Sequence, residues 1–222
     1  VLTELEPATR YSVYVQTDCG SVDNFDRTAE VTFMTRALPL SEFPYIQDFQ
    51  DLEATPFAVE YYGTGTNQWM IGSATGMPST EELSSLYISN NQSNYSYTIA
   101  NESRSYVVMP IQFGDDLEYS ISFDYKVGGE EGYDYLSVRL CDGNVEISEN
   151  AGIPAGIDIL NQATMSDWTN VSYTSTELSG AYKLLVFYWY NDYGGGDGMP
   201  AAIDNIRIIG ANCPSPASFA LD

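Results

Sequence analysis

The run 184–190 reads Leu-Leu-Val-Phe-Tyr-Trp-Tyr, an unbroken stretch of apolar and aromatic side chains. In an extended strand Leu185, Phe187 and Trp189 share one face, while Leu184, Val186, Tyr188 and Tyr190 share the other. Both faces need cover, which places this segment in the middle of a sheet packed on both sides. Other strand-forming stretches, at 45–49, 69–71, 86–88, 105–109, 117–127, 133–141, 169–173 and 201–208, are separated by Gly, Asn, Asp and Pro turns. Many short strands between such turns predict an all-β sandwich or jelly roll. Helical signals are sparse. Thr80-Glu-Glu-Leu83 reads as a capping-box start, and 157–165 offers one or two turns.

Charge and composition remove several function classes. The 222 residues carry 8 Lys+Arg against 31 Asp+Glu, a formal net charge of −23. Such a surface repels phosphate backbones and argues against a nucleic-acid partner. The chain has no histidine, which excludes Ser-His-Asp and Cys-His activation, imidazole-ligated zinc and imidazole acid–base chemistry. A pair of carboxylates of the glycosidase type is the remaining catalytic option. With 31 acids the sequence singles out no pair, so no catalytic residue is assigned and the chain is read as a non-enzyme. Eighteen tyrosines and nine phenylalanines argue against disorder. No apolar run approaches the roughly 20 residues that span a bilayer, so membrane insertion is not expected.

The ends read differently from the middle. Leu5-x-Pro7-x-Thr9-x-Tyr11 has the spacing of a tyrosine corner, in which the phenol bonds back to upstream backbone. Alternation at Val13/Val15 and Val31/Phe33 adds two half-buried strands. With Cys19-Gly20, residues 1–36 resemble the last two strands of a fibronectin type III domain, and 37–43, with Pro39, is a linker. At the other end 211–222, with Cys213-Pro214, resembles the first strand of a further such domain. The resemblance implies that Cys19 and Cys213 belong to different domains, each pairing with a cysteine outside this segment. A Cys19–Cys213 bridge is the alternative, and Cys141 is read as a buried free thiol. The expectation is a segment of a longer chain, with the neighbouring domains of the same polypeptide among its partners.

Residues 44–210 carry a series of motifs in order: Asp48-Phe49-Gln50-Asp51, Asn67-Gln68-Trp69, Ser105-Tyr106-Val-Val-Met-Pro110, Tyr119 to Lys126 followed by Tyr133 to Val138 as paired strands, Trp168, the 184–189 run, and Ala202-Ile-Asp204-Asn205-Ile206. This order resembles the MAM-like jelly roll of the cleaved-adhesin or choice-of-anchor type in secreted Bacteroidetes proteins. The fold expected is therefore a jelly-roll β-sandwich with flanking fibronectin type III fragments. The resemblance also implies a structural Ca2+ held by an acid of the first motif and the first acid of the last, which map onto Gln50 and Asp204. Gln50 stands where the family has Glu, so Asp48 and Asp51 are candidates to supply charge, and Asn205 replaces a second Asp. Hard cations take such carboxylate and amide oxygens.

Tyr61, Tyr62 and Tyr193 are read as loop residues able to stack on a ligand, while the tyrosines of 184–190 are assigned to packing. The segment 192–198, with Gly194, Gly195 and Gly196, reads as a hairpin connection whose glycines supply positive φ, and 128–132 as a second hairpin loop. The expected function is a non-catalytic extracellular or cell-surface adhesion or binding module, stabilised by calcium, whose partner is a host or matrix protein or a glycan. The alternative is a carbohydrate-binding module appended to a secreted hydrolase.

Overall fold

The structure, a computed structural model, describes residues 2–15, 28–74, 84–164 and 166–212. In chain order the strands are β1 (Arg10–Val13), β2 (Val31–Met34), β3 (Tyr45–Gln47), β4 (Glu60–Gly63), β5 (Gln68–Gly72), β6 (Ser85–Ser89) and β7 (Ser103–Gln112). There follow β8 (Glu118–Val127), β9 (Tyr135–Asp142), β10 (Gly156–Ala163), β11 (Ser166–Ser175), β12 (Tyr182–Asn191) and β13 (Ala201–Ala211), with a 3-10 turn at Thr176–Leu178. Among the described residues no helix is long and apolar enough to cross a membrane.

Two antiparallel sheets face each other as a jelly-roll sandwich. One runs β10-β9-β12-β7-β4; the other runs β11-β8-β13-β6-β5, with β3 pairing β13 beyond the end of β6. From β6 to β9 the chain changes sheet at every connection, and β12 and β13 also lie in different sheets. The loops 128–134 and 192–200 are therefore crossovers between sheets, which corrects the reading of both as hairpins and of 119–126 and 133–138 as paired strands. The glycine reasoning holds in part: Gly129, Gly132, Gly195, Gly196 and Gly198 have positive φ, but Gly194 does not. The two crossovers also touch, because a Cβ on Gly128 would run into the Met199 carbonyl. Asp197 ties them, accepting from the Gly129 and Met199 amides at 3.1 and 2.9 Å.

Strand β12 occupies the centre of its sheet with both faces buried, as its composition requires. Inward, Leu185, Phe187 and Trp189 join the main core with Ile121, Phe123 and Ile203. Phe187 meets Phe123 edge-to-face at 5.4 Å, and Trp189 meets Tyr97 at 5.5 Å. Outward, Leu184, Val186 and Tyr188 join a second cluster with Tyr106, Val108 and Cys141. Cys141 is a buried free thiol, whereas Cys19, Cys213 and the Thr80 capping box lie outside the described residues.

Two local expectations fail for identifiable reasons. Residues 157–163 form edge strand β10, not helical turns, because Ile157 and Ile159 alternate inward against the core while Asp158 points out to Arg139. Tyr61 and Tyr62 lie in strand β4, with Tyr62 in register with Tyr106. Trp69 is buried in the core and donates its indole N–H to Ser105 O at 3.1 Å, but Trp168 is only half-buried.

Strands β1 and β2 form a separate antiparallel ribbon. Its Tyr11 hydroxyl accepts from the Glu6 amide at 2.8 Å, the bond that the tyrosine-corner spacing predicts. Residues 37–43 do not hang free: Leu40 N–H donates to Pro110 O and its carbonyl accepts from Gln112 N–H, both at 2.8 Å, along β7.

Phe187 joins the two sheets through its inner-face contacts, so Phe187→Ala should cost about 3–5 kcal/mol. Urea denaturation checks this as a lower midpoint with an unchanged m-value; a loss below about 1 kcal/mol would mean that this face is not the packed core.

Candidate functional site

The outer face of the five-stranded sheet is where an aromatic surface meets solvent. Strand register lines up its side chains in rows across the sheet. Arg104, Tyr190 and Tyr135 form one row; Tyr62, Tyr106, Tyr188 and Ser137 form the next. Below them come Glu60, Val108, Val186 and Arg139, then Pro110, Leu184 and Cys141. A sheet face of this composition must be covered. The loop 143–155 does so over the lower rows, where Val145, Ile147 and Ile153 pack on the cluster. Tyr106 donates its hydroxyl to Ala151 O, and Arg139 donates to Pro154 O at 2.9 Å, fixing the loop in place.

The top row stays open. Tyr135 and Tyr190 are half-exposed with ring centroids 5.2 Å apart, and the Arg104 guanidinium lies 5.2 Å from the Tyr190 centroid. Tyr188, fully buried, supports them from below at 6.1 Å from Tyr135, and Tyr106 lies 4.8 Å from Tyr188. Glu102 pairs with Arg104 beside the row. The arrangement offers two half-exposed rings, with a cation over Tyr190 and a carboxylate paired to that cation.

At the β4 edge lies a fully buried carboxylate, Glu60. It accepts from the Ala37 amide at 2.8 Å, from the Arg36 guanidinium at 3.2 Å and from the Tyr62 hydroxyl at 2.6 Å. Arg36 also donates to Val145 O at 2.5 Å. Glu60 thus joins the segment leaving the ribbon to the sheet.

The tyrosines expected to form a platform do not converge. Tyr61 and Tyr62 alternate to opposite sides of β4, and Tyr62 spends its hydroxyl on Glu60. Tyr193 is 72% exposed in the crossover beyond β12. The better row, Tyr135 and Tyr190 with Arg104, escapes sequence reading because its members come from three strands that only the register brings together.

The residues expected to hold a cation lie on the outer side of the six-stranded sheet. Asp204 is fully buried and sits opposite Asp124 in the β13–β8 register. A bulge follows, with Asn205 at φ +51. Asn205 Nδ2 donates to Asp124 Oδ2 at 3.0 Å and Asn170 Nδ2 to Asp124 Oδ1 at 2.8 Å. Here β13 changes neighbours: β6 pairs it up to Ile203, and β3 takes over at Ile206. Gln50 bridges that gap, donating to Asp48 O at 2.7 Å and Ser84 O at 2.9 Å and accepting from Ser84 N at 3.3 Å. Asp48 Oδ1 accepts from the Gln50 amide at 3.1 Å.

Gln50 and Asp48 are therefore tied to Ser84 just before β6, whose Leu86 pairs Ile203, the neighbour of Asp204. Asp51 is engaged in its own turn, accepting from Glu53 N and Ala54 N. Phe49 is buried with Asp48 and Gln50 more exposed, as parity implies, although the strand ends at Gln47 and Phe49 has φ +60. Sequence reading missed Gln47, which is fully buried and accepts from Phe49 N at 2.6 Å, and it missed Asp124 and Asn170. Both Asp124 oxygens and the Gln50 amide oxygen already accept hydrogen bonds here, so a hard cation would have to displace N–H donors to reach them. Among the described residues no group of three or more Asp, Glu, Cys or His is disposed around one point, so amide and backbone oxygens would have to complete any shell.

The chain matches no protein-family model and no curated protein. Solved structures similar to it include the K1 cleaved adhesin domain of Lys-gingipain from Porphyromonas gingivalis W83, at 11% identity and TM-score 0.49, covering 76% of this chain and 99% of that one. TmCBM61, solved with β-1,4-galactotriose, is similar at 10% identity and TM-score 0.48, again over 76% and 99%. The enzymatically active domain of bacteriophage CBA120 tailspike protein 4 is similar at 12% identity and TM-score 0.42 over 73% of this chain; the match spans only 20% of that longer chain. These are likenesses of fold.

Burial pushes the Tyr106 phenol up to about 12 and likewise the Tyr45 phenol to about 12. An unfolded tyrosine ionises near 10. Between these values the unfolded chain releases protons that the folded chain keeps, so stability is full below about pH 10 and falls as pH rises toward 12. Alkaline titration should show phenolate absorbance and loss of near-UV circular dichroism rising together across this window. Free ionisation of all tyrosines near pH 10 with the fold intact would contradict the buried tyrosine rows.

Proposed function

We propose that this chain is a non-catalytic binding module of an extracellular or surface protein, and that it recognises glycans at the open tyrosine row. One observation carries the reading: half-exposed Tyr135 and Tyr190 stand on fully buried tyrosines, with Arg104 over the Tyr190 ring and Glu102 paired to Arg104. A sugar presents an apolar ring face with hydroxyls around its rim, which is the complement of an aromatic face bordered by charged donors and acceptors. The rings are held by packing before any ligand arrives, so little ordering is lost on binding. A host or matrix protein is the other partner class, and attachment to a secreted hydrolase is the alternative context.

Calcium enters as part of the same proposal. Two carboxylates directly opposite on neighbouring strands repel, and burial of one raises that cost. A cation shared by Asp204 and Asp124, with amide oxygens from Asn205 and Gln50 and charge from Asp48 nearby, would relieve it. Its role is structural: holding β13 at the point where β6 gives way to β3. So few formal charges suit the weak affinities of extracellular calcium modules. The Tyr11 corner supports reading the ribbon as the end of a fibronectin type III domain.

On an array of neutral and acidic glycans the protein should show saturable binding that Tyr190→Ala weakens at least about tenfold, a loss near 1.4 kcal/mol. Tyr193→Ala should leave it unchanged; undiminished binding by Tyr190→Ala, or no glycan bound at all, rejects the row as the site. For the metal, EDTA should lower the melting temperature and added calcium restore it. Stabilisation should approach about 2.7 kcal/mol at a hundredfold excess over Kd. Asp204→Asn should abolish the response, and a wild-type melting curve indifferent to both additions removes calcium from the account.

A further inference from the structure

The cleft between the ribbon and the body is lined from two separately built units. Thr32 and Phe33 of β2 form one wall, Glu146 and Asn150 of the covering loop the other, and Tyr62 contributes from the sheet. Its volume, about 520 Å³, falls within the range of small-molecule sites. We infer that this cleft is a second binding site, for a neutral ligand rich in hydroxyl groups, and that it is complete only while ribbon and body stay docked. It shares the ligand class with the glycan reading but not the location.

The walls are set in advance. Arg10 of β1 reaches Glu149 at 2.6 Å, and Glu149 also accepts from Gly63 N at 3.4 Å. Arg36 is held by Glu60 and Val145 O on the other side. Each of these bonds joins groups far apart in sequence, so the cleft keeps its shape without a ligand and binding would order little.

Charge selects the ligand. Arg10 and Arg36 line the cleft together with Glu146 and Glu149, two of each sign, in a chain whose net charge is −23. The two guanidinium groups are spent on Glu149 and on the buried Glu60, which leaves Glu146 over, so the cleft has no spare positive charge to draw an anion. Thr32 and Asn150, both exposed residues, belong to its lining together with Phe33 and Tyr62. Donors and acceptors with no spare positive charge fit a polyhydroxylated neutral molecule better than a phosphate.

The test is 15N NMR titration of the whole 222-residue chain with neutral cello-, manno- and galacto-oligosaccharides, and with a galacturonate oligomer as the acidic control. A neutral oligosaccharide should shift the backbone amides of both Phe33 and Asn150, with a Kd insensitive to added salt. Thr32→Ala/Asn150→Ala should weaken that Kd about tenfold or more at unchanged melting temperature, whereas Tyr190→Ala should not. Shifts confined to one wall, or salt-sensitive binding of galacturonate alone, overturn the inference. Shifts confined to Tyr135 and Tyr190 overturn the cleft and leave the tyrosine row standing; silence at both sites overturns both.

Discussion

Strand β12 buries apolar side chains on both faces, and the rest of the architecture follows from the need to cover the outer one. The six-stranded sheet takes the inner face by ordinary sandwich packing. Among the described residues the second cluster of this face is covered by the 143–155 loop, so irregular chain does the work. A loop brings few apolar side chains and many backbone polar groups, each of which needs a partner once buried. The tyrosine hydroxyls and arginines of the outer face answer that need: Tyr106 binds Ala151 O, Arg139 binds Pro154 O, and Arg36 binds Val145 O. The aromatic row is thus partly a device for holding irregular backbone, and it becomes a candidate ligand surface where the loop stops short.

The same need explains how scarce positive charge is used. Six of the eight Lys and Arg residues form ion pairs among the described residues. Pairs such as Lys183–Asp142, with Asp142 largely exposed, contribute little to stability. Four arginines, Arg10, Arg36, Arg104 and Arg139, instead gather on or over the outer face of one sheet. There they serve a fully buried glutamate, loop carbonyls and an aromatic ring. An acidic protein has thereby created one region whose local charge is close to balanced.

The sandwich and the two-faced β12 were legible from alternation alone, because strand periodicity depends on nearest neighbours in sequence. The tyrosine corner was legible for the same reason: Tyr11 and Glu6 are five residues apart. What escaped depends on register. Asp124 looks like any outward residue of an alternating strand until β13 lies beside it with Asp204 opposite. Tyr62 reads as loop because β4 is a four-residue strand whose outward Glu60 is buried by a segment from another unit. The crossovers looked like hairpins because glycine turns mark a change of direction without saying which sheet receives the next strand.

The passage from ribbon to body has a mechanical meaning. Glu60 grips the chain at Arg36 and Ala37, and four residues later Leu40 is stitched to β7 by two backbone bonds. Tension entering through the ribbon would meet several hydrogen bonds in close succession before reaching the sandwich, one of them charge-assisted and shielded from water. Strain would be shared at this collar and handed to β4 and β7 before it reached β3.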